Sequence, residues 1–140
     1  MKTLYTAEAL ATGAGRDGHV ATTDRRVDVE LAVPESMGGS GNGANPEQLF
    51  AAGYAACFHS ALQLAARERK VAIDGSSVGS QVHLGGIDGG GFGLAVTLEV
   101  TLPEVDAQVA RELADRAHEV CPYSNATRGN IEVDIRVSDD

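Results

Sequence analysis

One stretch limits the possible folds more than any other. From Gln48 to Ala66 the chain carries no formally charged residue, and it follows directly on Asn45-Pro46-Glu47. Asn45 suits an N-cap, Pro46 the first helical position, Glu47 the positive end of the helix dipole, and Gln48 the spacing of a capping box. A long helix is therefore expected from Pro46 to about Lys70, where Arg67-Glu68-Arg69-Lys70 returns it to water. Its first five turns are apolar on all sides, through Leu49, Phe50, Tyr54, Ala55, Phe58, Ala61, Leu62 and Leu64, so the helix should be enclosed. It is nearly long enough to span a bilayer. Alanine dominates it, however, and Gln48, His59, Ser60 and Gln63 interrupt it, which leaves it too weakly apolar for that role. A buried core helix is the expectation.

The remaining segments arrange themselves around that helix. Thr3 to Ala11 alternates and starts a strand, Gly13-Ala14-Gly15-Arg16-Asp17-Gly18 turns it, and His19 to Thr23 and Val27 to Val33 complete a small meander. Beyond the helix, Ser77 to Leu84 and Leu94 to Leu102 read as an antiparallel pair. Asp106 to Val120 reads as an amphipathic helix capped by Asp106, and Ile131 to Val137 as a last strand. Strands and helices are segregated, which gives an α+β class. With 140 residues, no repeat and only two glycine-rich connectors, Gly38 to Gly43 and Gly85 to Gly93, one domain over 1–140 is the simplest organisation. So few strands cover an enclosed helix more easily if two subunits share their sheets, and a homodimer is expected on that ground.

A formal charge of −9 and a pI near 4.8 disfavour nucleic acid or an anionic membrane surface as a partner. Met1 to Glu8 shows no apolar signal region, so a cytoplasmic location is expected. In a reducing compartment the two cysteines, Cys57 and Cys121, are more often catalytic or redox-sensing than a structural bridge.

Cys57 stands ten positions beyond Glu47, about 15 Å along the helix, beyond the reach of the dipole at its first turn. A reactive thiolate there needs a side-chain cation. Arg16, at the tip of a glycine-flanked turn, is a suitable one, and Glu47 can act on the sulfur only through that arginine. Each residue also has a plain structural alternative: an inert core cysteine, a solvated loop arginine, a first-turn acid. Cys121 ends the second helix before Pro122, and two cysteines are the minimum for attack and resolution. His118 precedes Cys121 by three residues, but a lone helical histidine is more often solvated. Gly13 to Gly18 matches G-x-G-x-x-G, yet more strand follows it, so no dinucleotide site is expected. No metal-ligand spacing and no cofactor signature is present. A non-enzymatic redox sensor or binding module using the same pair, or a structural domain with inert thiols, remains open on the residues alone.

Three segments, Gly15-Arg16-Asp17-Gly18, Asn45 to Phe58 and Cys121 to Asn130, resemble the organic hydroperoxide resistance (Ohr) proteins of the OsmC/Ohr superfamily. The resemblance runs through essentially the whole chain, and the early arginine favours Ohr over the sister OsmC subgroup. It implies Cys57 as peroxidatic and Cys121 as resolving cysteine, with Arg16 and Glu47 activating the thiolate. It also implies antiparallel sheets wrapped around long central helices in an intertwined homodimer, organic hydroperoxides as substrates, and a dihydrolipoyl dithiol as reductant. An apolar site around Phe50, Tyr54 and Phe58 would agree with an alkyl or lipid hydroperoxide.

Overall fold

The computed structural model describes residues 1–140. Contacts gather into two compact units, Met1–Leu49 and Phe50–Asp140. In the first, β1 (Ala9–Thr12), β2 (His19–Thr22) and β3 (Asp28–Glu30) form an antiparallel meander in sequence order. The strand expected over Thr3 to Ala11 is confined to β1, because pairing with β2 begins only at Ala9, opposite Thr22; Leu4 and Tyr5 stay exposed. The strand expected from Val27 to Val33 is likewise shorter, continuing past β3 only as a bridge from Leu31 to Ala44.

A 3-10 turn, Gly15–Asp17, links β1 to β2, and β2 follows the glycine motif where a nucleotide-binding helix would stand. Gly18 is obligatory in this turn, since a Cβ there would run into the Thr12 carbonyl oxygen. Leu31 N–H donates to Gly18 O at 2.8 Å and Val33 N–H to Asp17 Oδ1 at 3.0 Å, which pins the turn to the end of β3. Ala32 N–H donates to Ala44 O at 2.9 Å, placing the start of the long helix beside the same segment.

That helix is α1 (Pro46–Arg69). Its N-terminus is the expected capping box: Asn45 Oδ1 accepts from Gln48 N–H at 2.9 Å and Gln48 Oε1 from Asn45 N–H at 3.2 Å. It ends in a Schellman arrangement, with Lys70 at φ 57 and Val71 N–H donating to Ala66 O at 2.9 Å.

The second unit carries the core. Here β4 (Ser77–Gly86) and β5 (Phe92–Thr101) pair antiparallel, and β6 (Val133–Ser138) pairs with β5 in parallel. The expectation of antiparallel sheets is corrected at this last strand: α2 (Ala107–Val120) and the short α3 (Pro122–Thr127) lie between β5 and β6 and return the chain to the starting edge. Asp106 caps α2 by accepting from the Gln108 and Val109 amides. Tyr54, Phe58, Leu62, Ala65 and Ala66 of α1 pack with Val96, Leu98 and Val100 of β5 and with Leu113 and Ala117 of α2 in one cluster. The helix is not enclosed in a single chain, because these elements cover only one side of it. Ala52, Ala56, Ser60 and Leu64 form an exposed row at four-residue spacing.

Candidate active site

Cys121 is the single residue between α2 and α3. Its N–H donates to Ala117 O at 2.9 Å, closing the first helix, and its C=O accepts from Asn125 N–H at 2.9 Å, opening the second. An extended backbone, φ −62 and ψ 124, makes the corner between them. Pro122, which has no N–H to leave unsatisfied, takes the first position of α3. This corner turns Cys121 inward to full burial, with its Sγ 3.5 Å from Cys57 Sγ on α1. Both cysteines are free thiols, and Cys57 is half-buried.

Burial pushes the Cys57 thiol up from its ordinary value, the Tyr123 backbone N–H opposes this, and the neighbouring Cys121 reinforces it. Nothing in that set of influences is a cation. The groups in the second unit therefore place the sulfurs for exchange but leave Cys57 a poor thiolate.

Arg16 and Glu47 are brought together in the first unit. Nη1 donates to Oε2 at 2.9 Å and Nη2 to Oε1 at 2.6 Å, a bidentate fork. Hydrogen bonding from Arg16 holds the Glu47 carboxyl below the usual carboxylate range, and the same bonds raise Arg16, so both stay charged. The fork fixes a flexible guanidinium at the helix start. On α1, Glu47 and Cys57 remain about 15 Å apart along the axis.

Of the aromatic residues expected around substrate, only Phe50 reaches a cavity. That cavity, of about 860 Å³, is walled by Phe50, Ile87, Phe92, Leu94, Tyr123 and Ile131. Tyr54 and Phe58 are fully buried and act as core. Tyr123, which the sequence reading did not single out, connects cavity and sulfur: its ring is a wall and its amide faces Cys57. The signal for it was Gly53, an unfavourable residue in a helix interior. A Cβ at Gly53 would stand 2.7 Å from Tyr123 Oη, so glycine is what lets the ring lie across α1, tilted against Phe50 at 5.8 Å and Tyr54 at 5.6 Å. His118, set aside as solvated, is half-buried and bonded to Ser124.

Two thiols 3.5 Å apart in an α+β domain are a pair within reach of thiol–disulfide exchange. The family model for OsmC-like protein matches residues 39–136. The chain is 49% identical over 139 residues to the organic hydroperoxide resistance protein of Xanthomonas axonopodis pv. citri, covering 98% of this chain and 96% of that one. It is 43% identical over 134 residues to OhrB of Bacillus subtilis, covering 96% and 98% respectively. The crystal structure of an organic hydroperoxide resistance protein from Elizabethkingia anophelis, with thiocyanate bound, superposes with a TM-score of 0.95 at 50% identity over the full length of both chains. The chain belongs to the OsmC-like family, in its organic hydroperoxide resistance branch.

Proposed function

We propose that this chain is a two-cysteine thiol peroxidase that reduces organic hydroperoxides, alkyl and lipid, to alcohols. The observation that carries this reading is the pair of sulfurs 3.5 Å apart in a member of the Ohr branch, with Tyr123 between the pair and an apolar cavity. In the cycle, Arg16, held by Glu47, supplies the cation that the Cys57 thiolate lacks in its own surroundings. The sulfur attacks the peroxide oxygen distal to the alkyl group, the O–O bond breaks, and the alkoxide leaves as alcohol after taking up a proton. Cys57 is left as sulfenic acid. Cys121 attacks that sulfur, water leaves, and a disulfide closes. A dihydrolipoyl dithiol then reopens it through a mixed disulfide at the more accessible Cys57.

The cavity supports an organic over an inorganic peroxide, since Phe50, Ile87, Phe92 and Ile131 offer area to an alkyl chain and nothing to the second proton of hydrogen peroxide. The exposed row on α1, together with exposed Leu4, Tyr5 and Leu10, supports a homodimer that covers these surfaces. A cytoplasmic location is proposed with it, since a cysteine pair in a reducing compartment is more often catalytic than structural.

Peroxide consumption with dihydrolipoamide as reductant tests the reading. Wild type should turn over repeatedly and favour an alkyl hydroperoxide, Cys57→Ser should be inactive, and Cys121→Ser should complete one turnover and stall. Oxidation of wild type without sustained turnover by any dithiol would instead indicate a redox sensor. Equal multi-turnover rates in Cys121→Ser would remove the resolving role.

A further inference from the structure

Beneath the cysteine pair lies a polar network that takes no part in the redox steps above. Tyr54 Oη is 2.8 Å from Ser124 Oγ and 3.1 Å from Thr127 Oγ1, and Ser124 Oγ is 2.8 Å from His118 Nδ1. Tyr54 and Ser124 are fully buried and Thr127 nearly so. Burial, with the charge of Arg128 in support, pushes His118 down, so its imidazole is neutral near pH 7 and Nδ1 is available as an acceptor. With Tyr54 donating to Ser124 and Ser124 donating to His118, the chain of hydroxyls is satisfied in one direction.

The spacing of these residues is informative. Tyr54 stands three residues before Cys57 on α1, Ser124 three after Cys121 in α3, and His118 three before Cys121 on α2. The network thus fastens the Cys121 corner to α1 within one turn of Cys57. It has work to do there, because α3 is six residues long and a helix that short has no stability of its own. The corner also carries the Tyr123 amide that faces the Cys57 sulfur. Buried polar groups seldom add stability over an apolar filling of the same shape, but they do fix one register among several.

We propose that Tyr54, Ser124 and His118 are positioning residues for the resolving step, holding Cys121 Sγ in reach of Cys57 so that the disulfide closes before a second peroxide arrives. The inference rests on the peroxidase reading. In that step Cys121 Sγ bonds to Cys57 Sγ, the S–O bond of the sulfenic acid breaks, and the hydroxyl leaves with the Cys121 proton as water. The sulfurs must move from 3.5 Å to a bond of about 2.05 Å, a short approach that misplacement by a single ångström would spoil.

Reduced wild type, Ser124→Ala and Tyr54→Phe are each mixed with cumene hydroperoxide, and the sulfenic acid, disulfide and sulfinic acid of Cys57 are followed by quenched-flow mass spectrometry. In Ser124→Ala, attack should stay within about twofold of wild type while closure slows about tenfold or more and sulfinic acid accumulates. Tyr54→Phe, which keeps the ring and loses one bond, should fall between them. Closure rates equal to wild type in the variants overturn the inference. So does slowing of attack and closure by one common factor, which a general loosening of the fold would produce. If Ser124→Ala does not fold, Tyr54→Phe decides alone by the same criteria. A wild type that consumes no hydroperoxide overturns the peroxidase reading and the positioning role with it.

Discussion

Replacing Arg16 by alanine bears on the step where the surroundings of Cys57 are unfavourable. An ordinary thiol, titrating near 8.5, is about 3% thiolate at pH 7. Burial pushes Cys57 above that, and the Tyr123 amide opposes the rise without a formal charge. For the thiolate to predominate at pH 7, the cation must lower the thiol by about 1.5 units and offset the burial as well. Removing it then costs about sixteenfold in thiolate at pH 7, from about half ionised to about 3%. The rate falls by less, because a more basic thiolate is a better nucleophile: a Brønsted slope of about 0.4 to 0.5 restores roughly four- to sixfold over 1.5 units. The expected loss at pH 7 is about three- to fourfold from ionisation, to which any loss of peroxide orientation adds. Well above the variant's inflection, both proteins are fully ionised and the ionisation penalty vanishes. The assay is stopped-flow oxidation of reduced protein by an alkyl hydroperoxide across the pH range, with Cys121→Ser as background so that only attack is seen. Arg16→Ala should move the inflection up by at least about 1.5 units, and in alkali, apart from any loss of peroxide orientation, its rate should exceed wild type by roughly four- to sixfold. Coincident inflections in the two proteins would refute the role of Arg16 in acidifying the thiol.

Three further outcomes follow from the geometry. The Glu47 carboxyl is held low by Arg16, so the stability of that pair is complete above the unfolded carboxylate value of about 4.3 and is lost as pH falls through the lower folded value. Acid titration of thermal unfolding should therefore show a steady offset between wild type and Glu47→Gln near neutrality that closes in acid; an offset that persists in strong acid contradicts it. Gly53→Ala gains helix propensity of about 1 kcal/mol while its Cβ displaces the part-exposed Tyr123 ring. Its Tm should hold or rise and its KM for cumene hydroperoxide should increase several-fold, whereas a fall in Tm means that the ring does not give way. Light scattering should find wild type at twice the 14.5 kDa chain mass and Ala56→Arg, in the exposed row of α1, at the chain mass; a monomeric wild type removes the dimer.

Features encoded by neighbours in sequence were readable, and those set by tertiary choice were not. The start of α1 was legible because Asn45, Pro46, Glu47 and Gln48 satisfy the helix end among themselves, as Asp106 does for α2. Which face of α1 its own chain covers was not legible, for the opposite reason. A helix apolar on every side has no pattern to say which face goes inward, and only the fold selects Tyr54, Phe58 and Leu62 over Ala52, Ala56 and Ser60. Pro122 was ambiguous in principle, since proline both follows one helix and opens the next; it was read as a stop, and α3 was missed with it. That omission concealed Tyr123 and Ser124, and left His118 without the partner that makes it more than a solvated side chain. The parallel pairing of β6 follows from the helical crossover between β5 and β6, most of which is α2. At the site, the residues were legible and their geometry was not: Cys57 and Cys121 are 64 positions apart, and no local spacing measures the gap between their sulfurs. Tyr54, expected inside as part of α1, meets Ser124 and His118 there, and neither of those two has a reason to turn inward until α3 is in place.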